Sequence, residues 1–147
     1  MKHSKNFILF LLRISLGSLF FYAGISKILN PDWSAAGYLN SAKTFAPMYH
    51  WFASTANIGW INIVNEWGLT LVGIALFLGI GTYIVAGAGA LLMLLYYFPI
   101  LDFPYAGEHS YIVDEHIIYF LSLLLLMAAN AGRFWGLDSI RKRNRAV

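Results

Sequence analysis

Residues 11–29, LLRISLGSLFFYAGISKIL, form an apolar run of the length that crosses a bilayer as a helix, yet they carry two cations, Arg13 and Lys27. A cation at a membrane helix centre costs roughly 2.5 to 3.5 kcal/mol on insertion scales, so each charge needs a partner, a cavity or the membrane interface. Arg13, Gly17, Phe20, Gly24 and Lys27 are spaced by four, three, four and three and share one narrow helix face. Two glycines in the middle of that face predict close packing against a second helix.

The remaining sequence supports a membrane protein. The 147 residues are 59% hydrophobic and only 12% charged, with mean hydropathy +0.64, about half the charge of a soluble domain. The chain begins MKHSK before its first apolar run, as a signal peptide does. That run is longer than a signal core, contains Arg13 and lacks a small-x-small cleavage site, so it reads as a retained first span. Three further apolar segments follow at Trp60–Ile80, Thr82–Ile100 and Asp114–Asn130, after a first at Asn6–Leu29. The expected fold is all-α, an integral membrane four-helix bundle forming a single domain over residues 1–147. The second and third spans form a tight hairpin through Gly79-Ile80-Gly81.

Lys2, Lys5, Arg133, Arg141, Lys142, Arg143 and Arg145 collect on one side, leaving Lys27 and Lys43 on the other. The positive-inside rule therefore predicts a multi-pass protein of the cell (inner) membrane with both termini and the basic tail, 131–147, in the cytoplasm. The net charge of +3 resides mostly in these ends, which suits an anionic leaflet and not a nucleic acid. Residues 31–59 are too polar to span and too aromatic for a free linker. They are expected to form short amphipathic interfacial helices over the outer mouth of the bundle, the second starting at Pro47.

The second span repeats the pattern of the first. Glu66, Thr70, Gly73 and Phe77 put a charge at one end of a small-residue face, so the two stripes are expected to meet, with a Lys27–Glu66 pair at the outer end. Arg13 lies about 21 Å from Lys27 along the helix and needs its own partner. Asp138, in GRFWGLDSIRKR, is the candidate for a structural ion pair with Arg13. At the outer level Lys27, Glu66, Tyr96, Glu115 and His116 are expected to converge. Glu66, Glu115 and His116 are the candidate proton-exchanging groups, and Lys27, Tyr96 and Tyr119 the candidate ligand contacts.

Asp114-Glu115-His116 has metal-ligand residue types, but adjacent residues diverge on a helix and no HxxxH or ExxH pair accompanies them, so no metal site is expected. A single span histidine, with Met93 and Met127 at other depths, argues against haem. The absence of cysteine excludes iron–sulfur clusters and CxxC chemistry, so any redox role borrows its electron carrier.

The segments LLRISLGSLFFYAGISKI, EWGLTLVGIALFLGI and ANAGRFWGLD resemble the DoxX family of small four-helix membrane proteins, over all four spans. That family includes the DoxD-type subunit of thiosulfate:quinone oxidoreductase. The resemblance marks Arg13, Gly17, Gly24, Lys27, Glu66, Gly73, Gly79, Gly132, Arg133 and Asp138 as pattern positions. It implies a quinone-linked oxidoreductase subunit, with quinone as a non-covalent cofactor and membrane lipids around it. Two alternatives stand beside it. One is a non-enzymatic partner protein for assembly or for a lipid or cargo, acting with a partner subunit or as a homo-oligomer. The other is a small oligomeric transporter.

Overall fold

The computed structural model describes residues 2–107 and 109–143; Glu108 and the end of the basic tail, with Arg145, lie outside the described residues. The fold is all-α. A long helix α1 (Lys2–Ile28) leads into two short ones, α2 (Ala36–Asn40) and α3 (Ala46–Ala53). Helices α4 (Ile58–Leu78), α5 (Thr82–Ile100) and α6 (Glu115–Ala128) follow, then a 3-10 turn (Ala131–Arg133) and α7 (Asp138–Arg143). Helices α1, α4 and α5 are each long and apolar enough to cross a membrane. The fourth apolar helix falls short of the expected Asp114–Asn130 span: α6 has 14 residues, about 21 Å at 1.5 Å per residue. Its limits have local causes. Asp114 caps its first turn by accepting from the Ile117 N–H at 3.2 Å. Asn130, in the left-handed region at φ 48°, diverts the chain into the 3-10 turn.

Helix α1 packs along α4, and α5 along α6. The stripes expected to meet do so with backbone in contact. A Cβ at Gly73 would fall 2.2 Å from the Phe21 nitrogen, one at Gly17 2.7 Å from that of Phe77, and one at Gly24 2.3 Å from the Thr70 hydroxyl. Only glycine allows this approach, and dispersion over the resulting seam is what holds two helices together where no water can be expelled. Leu9, Leu16, Phe20, Leu69, Val72, Leu76, Met93 and Leu123 fill the core between the two helix pairs.

The α4–α5 hairpin turns at Gly79 (φ 69°) and Gly81 (φ 56°), a left-handed conformation that suits glycine. The Ile80 N–H closes α4 on the Ala75 carbonyl at 2.9 Å. At this tail end of the bundle, Arg13 is completely buried against Gly79 and Gly136. The expected Arg13–Asp138 ion pair does not form; each group instead satisfies backbone. Arg13 Nη2 donates to the Phe134 and Trp135 carbonyls at 3.3 and 3.2 Å. The Asp138 carboxylate accepts from the Gly81 and Thr82 N–H groups at 2.8 and 3.0 Å, capping the start of α5. The physical reason is positional: orphan donors at a helix start attract an anion, and the carbonyls of the turn beneath α1 attract the cation. The Leu137 and Asp138 N–H groups also donate to the Leu78 and Gly79 carbonyls, at 3.1 and 2.9 Å. Residues 134–138 thus form a clasp across the ends of α1, α4 and α5.

At the opposite end, α2 and α3 form a cap with its own small core of Ala35, Leu39, Ala42, Tyr49 and Ile61. The cap answers a defect in α5. Pro99 has no N–H to give the Leu95 carbonyl four residues back, and the buried Tyr49 hydroxyl donates there instead, at 3.1 Å. The Tyr38 hydroxyl donates to the next carbonyl, that of Tyr96. A two-residue hairpin pairing Leu101–Asp102 with Tyr105–Ala106 completes this end.

Candidate functional site

Beneath the cap, between the α1–α4 and α5–α6 pairs, lies a cavity of about 400 Å³. Leu19, Phe20, Ala23, Trp33, Leu69 and Met93 give it apolar walls, while Lys27, Tyr38, Asn65, Tyr96, Glu115, His116 and Tyr119 supply polar groups. This mixture of apolar wall and few convergent polar groups is what small-molecule sites require. Leu19 and Glu115 are exposed as well as lining it, so the cavity has a mouth on the helix surface between α1 and α6. A second hollow, of about 370 Å³, lies on the outer face of the α1–α4 seam and is lined by Ser18, Phe21, Ile74, Phe77 and Leu78, with no titratable group.

Four of the five outer residues expected to converge line the first cavity, Lys27, Tyr96, Glu115 and His116, and so does Tyr119, the other candidate ligand contact. Glu66 does not. The expected Lys27–Glu66 pair is also absent: Lys27 Nζ donates to the Ala23 carbonyl at 3.0 Å and lies 5.3 Å from the centroid of the Trp33 ring. The cap supplies the reason. It lays the π face of Trp33 over the ammonium, which meets the charge without a carboxylate.

Asn65 takes the place sought for Glu66. Its amide nitrogen donates to the Ile61 carbonyl at 2.9 Å, and its Oδ1 accepts from the Tyr96 hydroxyl at 2.5 Å. A signal for it existed. Ile61, Asn65, Leu69, Val72 and Leu76 repeat at four, four, three and four, a core-facing row whose one polar member is Asn65. Trp33 and Tyr38 were not legible as site residues, because the cap reaches the cavity only through tertiary packing.

His116 is held from two sides. Its Nδ1 lies 2.5 Å from Asp114 Oδ2, and its ring meets that of Tyr96 edge-on at 6.1 Å between centroids. Asp114 is buried and already accepts the Ile117 N–H through its other oxygen. A carboxylate so placed fixes the imidazole by accepting from Nδ1, which leaves Nε2 as the working nitrogen. Phe20 and Tyr119 meet edge-on across the apolar side at 6.3 Å. In the cap, burial pushes the Tyr38 phenol well above its ordinary range, reinforced by the neighbouring Asp114 carboxylate, and burial raises that of Tyr49 too. Both hydroxyls therefore stay protonated donors. The arrangement can hold a planar ring between aromatic and aliphatic walls and exchange a proton with it at the imidazole.

No curated protein and no solved structure matches the chain. The family model described as DoxX matches residues 8–100, more than half of the sequence, covering α1, the cap, α4 and α5 with the seam and most of the cavity wall. By that match the chain belongs to the DoxX family.

Proposed function

We propose that this DoxX-family membrane protein is the quinone-binding subunit of an oxidoreductase, and that the cavity beneath the cap takes the quinone ring. The observation that carries the reading is one wall with two chemistries. Phe20, Leu69, Met93 and Tyr119 offer apolar faces, and the Asp114–His116 pair beside Tyr96 offers a proton-exchanging edge. The mouth beside Leu19 opens on an apolar helix surface, the side from which a lipid-soluble ring arrives. Electrons come from a partner subunit, because a chain without cysteine has no thiolate or iron–sulfur cluster of its own. Glu115, exposed at the mouth, exchanges the accompanying protons with the medium.

Photolabelling tests this reading. An azidoquinone irradiated with the protein in nanodiscs should label residues of α1, α5 and α6 around Phe20, Tyr96 and Tyr119, and excess unlabelled quinone should suppress the labelling. Label spread evenly over the lipid-facing residues Leu71, Ile84 and Leu121, with no competition, would defeat it.

A further inference from the structure

Within the quinone-site reading, on which this inference rests, we propose that the cavity is matched to the reduced, dihydroxy form of the ring, a hydroquinone, over the quinone. The argument follows the protons of the lining groups. A backbone carbonyl can only accept, so two carbonyls fix the polarity of the whole network. Asn65 must present its amide nitrogen to the Ile61 carbonyl, and its Oδ1 must then accept from Tyr96. Tyr38 must donate to the Tyr96 carbonyl. The hydroxyl protons of Tyr96 and Tyr38 are thereby spent, and toward the cavity both oxygens offer lone pairs only.

His116 reaches the same state by another route. Asp114 accepts from the Ile117 N–H with one oxygen, and its other oxygen faces His116 Nδ1. An ionised carboxylate only accepts, so Nδ1 carries the proton, and in that neutral tautomer Nε2 is an acceptor. Nε2 makes no hydrogen bond to protein among the described residues. Glu115, also lining the cavity, accepts as well. Donors line the cavity too: the Lys27 ammonium beyond the proton it gives to the Ala23 carbonyl, the second Asn65 amide N–H, the Trp33 indole N–H and the Ser34 hydroxyl, which accepts from Ala36 and Asn62, while Tyr119 can do either; the surplus of acceptors is therefore local, at Tyr96 and His116. The Tyr96 and His116 rings meet edge-on, and the hydroxyl oxygen of one and Nε2 of the other are both acceptors on the same cavity wall. A quinone carbonyl placed there adds a third acceptor, whereas a hydroquinone O–H supplies the missing proton.

The test compares two redox states of one compound. Decylubiquinone and its hydroquinone are titrated anaerobically into the protein in nanodiscs, at about pH 8 so that free imidazole is neutral. The hydroquinone should bind about tenfold more tightly, the effect of one or two matched neutral hydrogen bonds. Asp114→Asn keeps a good helix cap but can donate to Nδ1, which turns Nε2 into an N–H donor. That variant should lose the preference or reverse it. His116→Gln, which offers both a donor and an acceptor, should lose it too and serves if Asp114→Asn unfolds. Equal or tighter binding of the quinone by the wild type overturns the inference and leaves the ring site standing. A preference that survives both substitutions also overturns it. Binding of neither form removes the ring site itself, and the inference with it.

Discussion

Tyr49 and Pro99 make a pair whose energetics can be worked out before measurement. Tyr49 is 1% exposed, and its hydroxyl donates to the Leu95 carbonyl that proline leaves without its helical donor. Tyr49→Phe keeps the ring and removes only that donor, stranding a buried acceptor. Such a loss costs roughly 1 to 3 kcal/mol, and the lower half of that range applies because a carbonyl keeps some in-helix polarisation. In a Pro99→Ala background the N–H of residue 99 returns to Leu95, and the tyrosine hydroxyl becomes redundant. There Tyr49→Phe should cost only a few tenths of a kcal/mol, giving a coupling energy of about 1 kcal/mol between sites 50 positions apart in sequence. Equilibrium unfolding in mixed micelles, titrated with a denaturing detergent, reads all four corners of the cycle. An equal cost of Tyr49→Phe in both backgrounds would refute the reasoning, since the hydroxyl would then owe nothing to the proline.

Other substitutions probe the seam, the clasp and the buried phenols. Gly73→Ala puts a Cβ 2.2 Å from the Phe21 nitrogen, so α1 and α4 must separate. It should destabilise by about 3 kcal/mol, at the upper end of overpacking, while Gly37→Ala, with open space around it, changes stability by less than about 0.5 kcal/mol in the same assay. Asp138→Ala removes both acceptors at the start of α5 and should cost about 2 kcal/mol, of which Asp138→Asn, with one acceptor oxygen left, should recover no more than about half; an alanine variant as stable as the wild type would contradict a capping role. Tyr38, with its phenol pKa raised by burial, stabilises fully below the ordinary phenol value of about 10, and that contribution fades as pH climbs above it. Stability should therefore fall more steeply above about pH 10 in the wild type than in Tyr38→Phe, measured by the same unfolding titration.

The helix seam was legible because membrane packing leaves a spacing rule in the sequence. Stripes spaced three and four apart put Gly17 and Gly24 on one face of α1 and Gly73 on one face of α4, and small residues so placed are where the two helices meet. The charges were harder to read. Arg13 and Asp138 were correctly brought to one end, yet what each binds depends on carbonyl and N–H groups that carry no residue code: the Phe134 and Trp135 oxygens for one, the Gly81 and Thr82 nitrogens for the other. Glu66 drew attention as a charge, although its neighbour Asn65 occupies the core-facing row, about 100° away around the helix. The expected fourth span runs two residues past the end of α6, because Ala129 and Asn130 continue the apolar stretch and residue type alone does not show that Asn130 turns left-handed.

The two ends of α1 place different demands on the same helix. At the tail end Arg13 Nη2 and the Asp138 carboxylate close backbone, while Arg13 Nε and Nη1 and the Thr82 hydroxyl are buried without a hydrogen-bond partner among the described residues, the guanidinium packed directly on the backbone of Gly79 and Gly136. At the cap end the closures stop short of completeness. Lys27 leans on a ring instead of a carboxylate, His116 keeps one nitrogen without a partner among the described residues, and Tyr96 keeps its lone pairs. A rigid glycine seam joins the two, so the unspent groups sit in a cavity whose walls do not collapse to satisfy them. It follows that substitutions at the clasp should change stability with ligand affinity held constant, while His116 and Asn65 substitutions change affinity first. A clasp variant such as Asp138→Asn that stays folded yet loses ligand binding would show that the seam transmits strain, and would break this division.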